Sequence, residues 1–240
     1  MGASVAFARP RIADWVRDAF AAGLTLHEAA SRDPEALPMK GGRGTVYIVD
    51  AGGTRCAVRR YQRGGGMRFL GDRYLRLGST RPQQEAVASE EAERRGVRTA
   101  RVLAWAVYPA GAFYRADLVT EFVPATVTLA ALLLEQQAST ADRAAGLRSA
   151  GSLIASLATA GLQHADLNAN NILLQRSPEG FEPIALDLDR MVVGTRDTAL
   201  DPAKMLARLV RSLRKMDHQN AMKLSAAEWG LLKSSTGTTG

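Results

Sequence analysis

The 240-residue chain predicts an α+β fold in two lobes, β-rich first and helical second. Three observations predict it. Up to residue 122 the apolar runs are short, rich in β-branched and aromatic residues, and separated by glycine turns. From residue 129 they lengthen and take a helical period. With 46% hydrophobic residues the chain can bury a substantial core. The expected division is 1–121 for a β-rich lobe with a leading helix, 122–233 for a small helical lobe, and 234–240 for a flexible tail. Two unlike halves with a crevice between them suit a nucleotide site.

In chain order, Ile12, Trp15, Val16, Ala19 and Phe20 repeat at helical spacing and predict a short amphipathic helix. Ser31 to Pro38, with two prolines, predicts a loop. Thr45 to Val49 and Arg55 to Arg59 predict two strands joined by the turn Asp50-Ala51-Gly52-Gly53. Arg63 to Gly66 forms a second glycine-rich stretch. Gln83 to Arg95 predicts a helix stopped by Gly96. Val102 to Val107 and Phe113 to Phe122 predict further strands, with Pro124 just beyond. Leu129 to Gln137 and Leu147 to Ala160 predict helices, the second stopped by Gly161. Ile172 to Leu174 and Ile184 to Leu186 predict a hairpin through Ser177-Pro178-Glu179-Gly180, and helices follow over 201–215 and 226–233.

The balance of 31 basic against 24 acidic residues gives a net charge of +7. It suggests an anionic partner, whether nucleotide, nucleic acid, acidic sugar or membrane surface, without choosing among them, and a mildly basic soluble protein explains it as readily. No aromatic-interleaved basic motif supports a nucleic-acid partner. The single cysteine, Cys56, excludes an internal disulfide framework and suits a reducing compartment; in its apolar run it reads as a small buried hydrophobe. No Cys/His spacing suggests zinc. The N-terminus lacks the apolar core of a signal peptide, and no apolar run reaches membrane-spanning length, so a cytoplasmic protein that meets membranes only from the surface is expected.

The strongest local feature is His164-Ala165-Asp166-Leu167-Asn168-Ala169-Asn170-Asn171, followed by an apolar strand, with Asp187-Leu188-Asp189 closing the next. Phosphoryl transfer needs a carboxylate at the incoming hydroxyl and oxygen ligands that hold Mg²⁺ on the nucleotide phosphates, all rigidly fixed. A hairpin can bring Asp166, Asn171 and Asp187 to one point. The competing view is that these are ordinary turn and cap residues. Against it, His164, Asp166, Leu167 and Asn171 fill the whole H-x-D-L-x-x-x-N pattern. The arrangement resembles the catalytic loop of the kinase-like superfamily, with Asp187 in place of the metal-binding Asp of D-F-G. That resemblance implies a protein-kinase-like two-lobed fold.

The N-terminal half fits the same template. Gly42-x-Gly44-x-Val46 resembles a shortened glycine loop over phosphates, although a plain turn explains it as readily. Where such a fold carries its phosphate-binding lysine, this chain has Arg59. Glu85 on the following helix is the best acidic partner for it, with Glu90 the alternative; two solvated surface charges would be the plainer account.

Several stretches match something narrower. Gly42-Arg43-Gly44-Thr45-Val46-Tyr47, Val58 to Gly65, Gly71-Asp72-Arg73-Tyr74-Leu75, Phe113 to Glu121, His164 to Leu174, Asp187-Leu188-Asp189-Arg190 and Leu206 to Lys215 resemble the 3-deoxy-D-manno-octulosonic acid (Kdo) kinases of the lipopolysaccharide kinase group. The resemblance runs from about Gly41 to Lys215. An arginine followed by R-G-G is usual there, so Arg59 is expected. It departs at Leu157-Ala158, where the family has Phe-His, and at Glu85-Ala86, where it has Glu-Trp.

The resemblance implies transfer of the γ-phosphoryl of ATP to the 4-hydroxyl of Kdo on a lipid A precursor, with Mg²⁺, at the cytoplasmic face of the inner membrane. Asp166 would orient the acceptor hydroxyl, and Asn171 and Asp187 would bind the metal. Gly42, Gly44 and Arg59, held by Glu85, would meet the phosphates, and the backbone at Glu121-Phe122 the adenine. Arg63 is a candidate for acceptor recognition or simply a solvated arginine, and His164 a brace. The rivals are a small-molecule kinase of another acceptor and a nucleotide-binding pseudokinase. Only 51 residues follow Asp189, too few for the activation segment and large helical lobe of a protein kinase.

Overall fold

The computed structural model describes residues 5–41, 44–62, 72–75, 78–134, 138–195, 198–220 and 224–237. In chain order the elements are strand β1 (Val5–Ala8), a 3-10 turn (Pro10–Ile12), helices α1 (Ala13–Ala21) and α2 (Leu26–Arg32), and strands β2 (Leu37–Gly41), β3 (Gly44–Asp50), β4 (Arg55–Arg60) and β5 (Tyr74–Leu75). Next come α3 (Arg81–Arg94), β6 (Val102–Ala110), β7 (Phe113–Glu121), β8 (Thr126–Thr128), α4 (Leu129–Leu134) and α5 (Thr140–Thr159). Strands β9 (Leu162–His164), β10 (Ile172–Ser177), β11 (Gly180–Ala185) and β12 (Met191–Val193), then helices α6 (Ala203–Asn220) and α7 (Ala226–Ser234), complete the chain.

Two compact units emerge. Unit 1 comprises Met1–Val87 and Ala100–Phe122; unit 2 comprises Ala88–Thr99 and Val123–Gly240, so the division falls inside α3. Unit 1 is built on one antiparallel sheet, ordered β1-β6-β7-β4-β3-β2, with β5 pairing β7. Its strands alternate. Val58, Leu103, Ala106 and Tyr108 pack with Ile12, Val16, Leu26 and Ala30 of the N-terminal helical segment, while Trp105, Val107, Tyr114 and Leu118 form a second cluster with Tyr61 and Tyr74. Cys56 is fully buried, and burial pushes its thiol up to about 11, so it is an inert core residue.

The loop expected over Ser31 to Pro38 is instead the end of α2, a short connection, and the start of β2. Two local signals explain the difference. Thr25 and Glu28 form a reciprocal capping box that starts α2. Pro38 is tolerated because β2 lies at the edge of the sheet, where a missing N–H costs no ladder bond. A buried ion pair ties α2 to the sheet. Asp117, fully buried, accepts hydrogen bonds from the His27 N–H (2.8 Å) and Arg60 Nε (3.2 Å), and Arg60 also donates to Thr25 Oγ1 (2.8 Å).

Unit 2 is built around α5, which buries Leu147, Ala150, Leu153, Ile154 and Leu157 in one core with α4, α6 and the three-stranded sheet β11-β10-β8. The departures from the family pattern at Leu157 and Ala158 fall in this core, both residues being buried. Helix α7 packs on α5 at Gly151, where a Cβ would stand 2.8 Å from the Leu232 carbonyl oxygen. Residues Ser235–Gly237 form a turn after α7, and Thr236 is buried with its hydroxyl donating to the Lys233 carbonyl. Residues 238–240 lie outside the described residues.

Candidate active site

The loop between β9 and β10 carries Asp166 and Asn171, and its own polar groups fix its shape. Asn168 Nδ2 and Asn171 Nδ2 both donate to the Asp166 carbonyl, at 2.9 and 3.1 Å, and Asn168 Oδ1 accepts from the Asn170 N–H at 3.0 Å. These are the short-range bonds for which Asn is suited. The arrangement leaves the Asp166 carboxylate half-exposed and the Asn171 side-chain oxygen available to a ligand.

The β10–β11 hairpin joins Asp187 to this loop. Ile172 pairs with Ala185, and the Leu186 N–H donates to the Asn171 carbonyl at 3.0 Å, so Asp187 lies one residue beyond the pair that contains Asn171. Asp187 adopts φ of 60°, a left-handed conformation that is uncommon for a residue other than glycine and clusters at functional sites. His164 braces both strands of the arrangement. Its Nε2 meets the Leu186 carbonyl at 2.8 Å and its Nδ1 accepts from the Asp166 N–H at 3.3 Å. These partners assign the proton to Nε2 of a neutral ring.

Helix α6 holds the loop at two points. Met205 Sδ accepts from the His164 N–H (3.4 Å), and Ser212 Oγ accepts from the Ala169 N–H (3.3 Å). Two arginines reach the Asp166 carboxylate itself. Arg190 Nη1 donates to Oδ2 at 2.9 Å, and Arg208 Nη1 stands 4.0 Å from Oδ1. The hydrogen bond from Arg190 to Asp166, with the carboxylate's charge, raises the guanidinium's pKa further. Sequence reasoning gave neither arginine a role; the only signal was a basic residue directly after Asp187-Leu188-Asp189.

In unit 1, Arg59 Nη2 donates to both oxygens of Glu85, at 2.7 and 2.6 Å. Glu85 is buried and also accepts from the Tyr61 hydroxyl, and Arg59 stacks 4.6 Å above the Tyr61 ring. A pair of solvated charges is therefore not what the chain builds here. Gly44 ends the β2–β3 hairpin opposite Gly41, and a Cβ on it would meet Gln62 Nε2 at 2.8 Å. Gly42 and Arg63 lie outside the described residues. The N–H groups of Glu121 and Phe122 donate to the carbonyls of Arg101 (2.9 Å) and Arg55 (3.0 Å), so a ligand at this backbone would use carbonyl oxygens rather than these two amides. The Glu121 carboxylate lies 3.6 Å from Arg11.

Asn171 and Asp187 offer one amide and one carboxylate oxygen. Mg²⁺ is commonly bound by one or two protein oxygens together with substrate phosphates and water, so this donor set fits it. Among the described residues no cluster of three or more His, Cys, Asp or Glu forms a self-sufficient metal cage.

The lipopolysaccharide kinase (Kdo/WaaP) family model matches residues 32–235. A 3-deoxy-D-manno-octulosonic acid kinase of Xanthomonas oryzae pv. oryzae (strain PXO99A) is 37% identical over 199 residues, covering 81% of this chain and 76% of the relative. That of Stenotrophomonas maltophilia (strain K279a) is 33% identical over 187 residues, covering 77% and 72%. Among solved structures, WaaP in complex with acyl carrier protein superposes with a TM-score of 0.57 at 19% identity, covering 97% of this chain and 88% of that one. It shares the kinase-like fold, β-rich in its N-terminal region and helical in its C-terminal part. The chain belongs to the lipopolysaccharide kinase (Kdo/WaaP) family and is a phosphotransferase acting on a hydroxyl group.

Proposed function

We propose that the protein transfers the γ-phosphoryl group of ATP to the 4-hydroxyl of Kdo on a lipid A precursor, in lipopolysaccharide core biosynthesis. The observation that carries this is the fixed loop from Asp166 to Asn171, bonded through Leu186 to the segment holding Asp187. It is the donor set that in-line phosphoryl transfer needs, in a chain 33–37% identical to named Kdo kinases. Asp166 orients the acceptor hydroxyl and takes its proton. Asn171 and Asp187 hold Mg²⁺, which neutralises charge on the phosphates. Arg59, fixed by Glu85 and Tyr61, meets the nucleotide phosphates, as do Gly42 and Gly44, and the Glu121 backbone takes the adenine.

The acceptor is a lipid, so the protein works at the cytoplasmic face of the inner membrane. No helix among the described residues is long and apolar enough to cross a membrane, and the net charge of +7 favours an anionic surface. Purified protein with ATP and Mg²⁺ should add one phosphate to Kdo-lipid IVA, and fragmentation of the product should place it on the Kdo 4-oxygen. Transfer to an aminoglycoside or another small alcohol but not to Kdo-lipid would instead identify a small-molecule kinase. Nucleotide binding without transfer to any acceptor would identify a pseudokinase.

A further inference from the structure

Two arginines converge on Asp166, and backbone structure delivers both. Met191 pairs with His164 in the β12–β9 ladder, which sets Arg190 beside the residue preceding Asp166. Arg208 lies one helical turn beyond Met205 and one turn before Ser212, the two α6 residues bonded to the catalytic loop. Both arginines remain open to solvent, with side-chain exposures of 59% and 43%. A guanidinium carries five N–H donors in a rigid fork. Arg190 commits one of them to Asp166, and Arg208, at 4.0 Å, is beyond hydrogen-bond length. Exposed Lys204 and Arg211 flank Arg208 on α6, one turn away on either side.

A carboxylate that must accept a bond from an incoming hydroxyl is poorly served by a permanent cationic partner on Oδ2. The contact makes sense if something replaces it. The proposed acceptor carries the replacement: its own carboxylate sits on a ring carbon two positions from the carbon bearing the 4-hydroxyl. We propose that Arg190 and Arg208 form the receptor for the acceptor's carboxylate, and that its arrival draws Arg190 off Asp166 and frees Oδ2 for the hydroxyl. Arginine is the side chain suited to such two-oxygen recognition. The site thereby demands an acid beside the hydroxyl it phosphorylates, and neutral sugars fail to release the resting contact. This inference rests on the function proposed above.

The test pairs two acceptors with two enzymes. Kdo-lipid with its free carboxylate and the same lipid with that group converted to the neutral carboxamide are given to the wild type and to Arg190→Gln/Arg208→Gln. The wild type should show a KM for the carboxamide ~10- to 100-fold higher than for the acid, the range expected for lost charged hydrogen bonds. The double variant should lose about that factor on the acid and show no discrimination, with KM for ATP unchanged. Arg208→Gln alone, on an exposed helix face, should lose part of the discrimination without loss of fold. A wild type indifferent to the carboxylate, or variants that lose equally on both acceptors, would overturn the receptor while leaving the proposed function standing. A wild type that phosphorylates neither acceptor would overturn the function itself, and the receptor with it.

Discussion

Arg59, the residue proposed to meet the nucleotide phosphates, is held in place by its neighbours. Its guanidinium is held by two bonds to a buried carboxylate, which the Tyr61 hydroxyl also fixes, and it lies over the Tyr61 ring. Lysine offers one compact ammonium and cannot reproduce the planar stacking over Tyr61 or the guanidinium's further N–H donors. Arg59→Lys should therefore raise KM for ATP roughly tenfold with little change in melting temperature. Arg59→Ala should also cost about 2 kcal/mol of stability, because Glu85 keeps its burial and loses its cation. Steady-state kinetics over ATP concentration and denaturant titration separate the two effects. The choice of Glu85 over Glu90 was open in the sequence, since both lie on one helix; the placement of α3 against β4 decides which carboxylate meets Arg59.

At the scale of elements, unit 2 depends on the contact between α5 and α7. Gly151 permits it, and Gly151→Ala should destabilise by about 1–3 kcal/mol, since the added carbon meets backbone atoms that cannot step aside. Glu228 starts α7 through a capping box with Ser225 and bonds Arg143 of α5 at 2.8 Å. Burial pushes its carboxyl up, but the Ser225 backbone N–H, Arg143 and the Ser225 hydroxyl outweigh this and leave it below its ordinary value of 4.5. The folded state therefore binds this proton less readily than the unfolded one. The contribution is complete above about pH 4.5 and is lost as pH falls through the lowered value. Glu228→Gln should be less stable than wild type at pH 7, and the gap should narrow as pH falls below about 4.5. Thermal unfolding over pH 3–8 checks both signs. Hairpins such as β3–β4 and β10–β11 were legible in the sequence because local turns and alternating residues define them. Strands β1, β9 and β12 were not, because three or four residues become strands only when a distant partner pairs with them. Arg190 was hidden for the same reason: only the β9–β12 pairing puts it beside Asp166.

For the whole molecule, Arg59, Glu85 and the β2–β3 hairpin belong to unit 1, and the loop with Asp166 and Asn171 belongs to unit 2. The trio Asp166, Asn171 and Asp187 could be picked out from sequence because a loop and a hairpin of adjacent strands join its members locally. Arg208 comes to Asp166 from a helix 42 residues downstream, and spacing alone says nothing of it. Charge acts at this scale too. Along α6, Lys204, Arg208, Arg211 and Lys215 recur at helical spacing on an exposed face. Co-sedimentation with vesicles containing anionic phospholipid should be strong at 50 mM salt and fall steeply by 500 mM, while neutral vesicles bind little. The role proposed for Asp166 is tested most directly by the initial rate of γ-phosphoryl transfer from ATP to Kdo-lipid IVA by wild type and Asp166→Asn, with ATP affinity measured alongside. Wild type should transfer one phosphate per acceptor, and the variant should be ~10²- to 10⁴-fold slower with unchanged ATP affinity. A variant that keeps the wild-type rate would contradict the account.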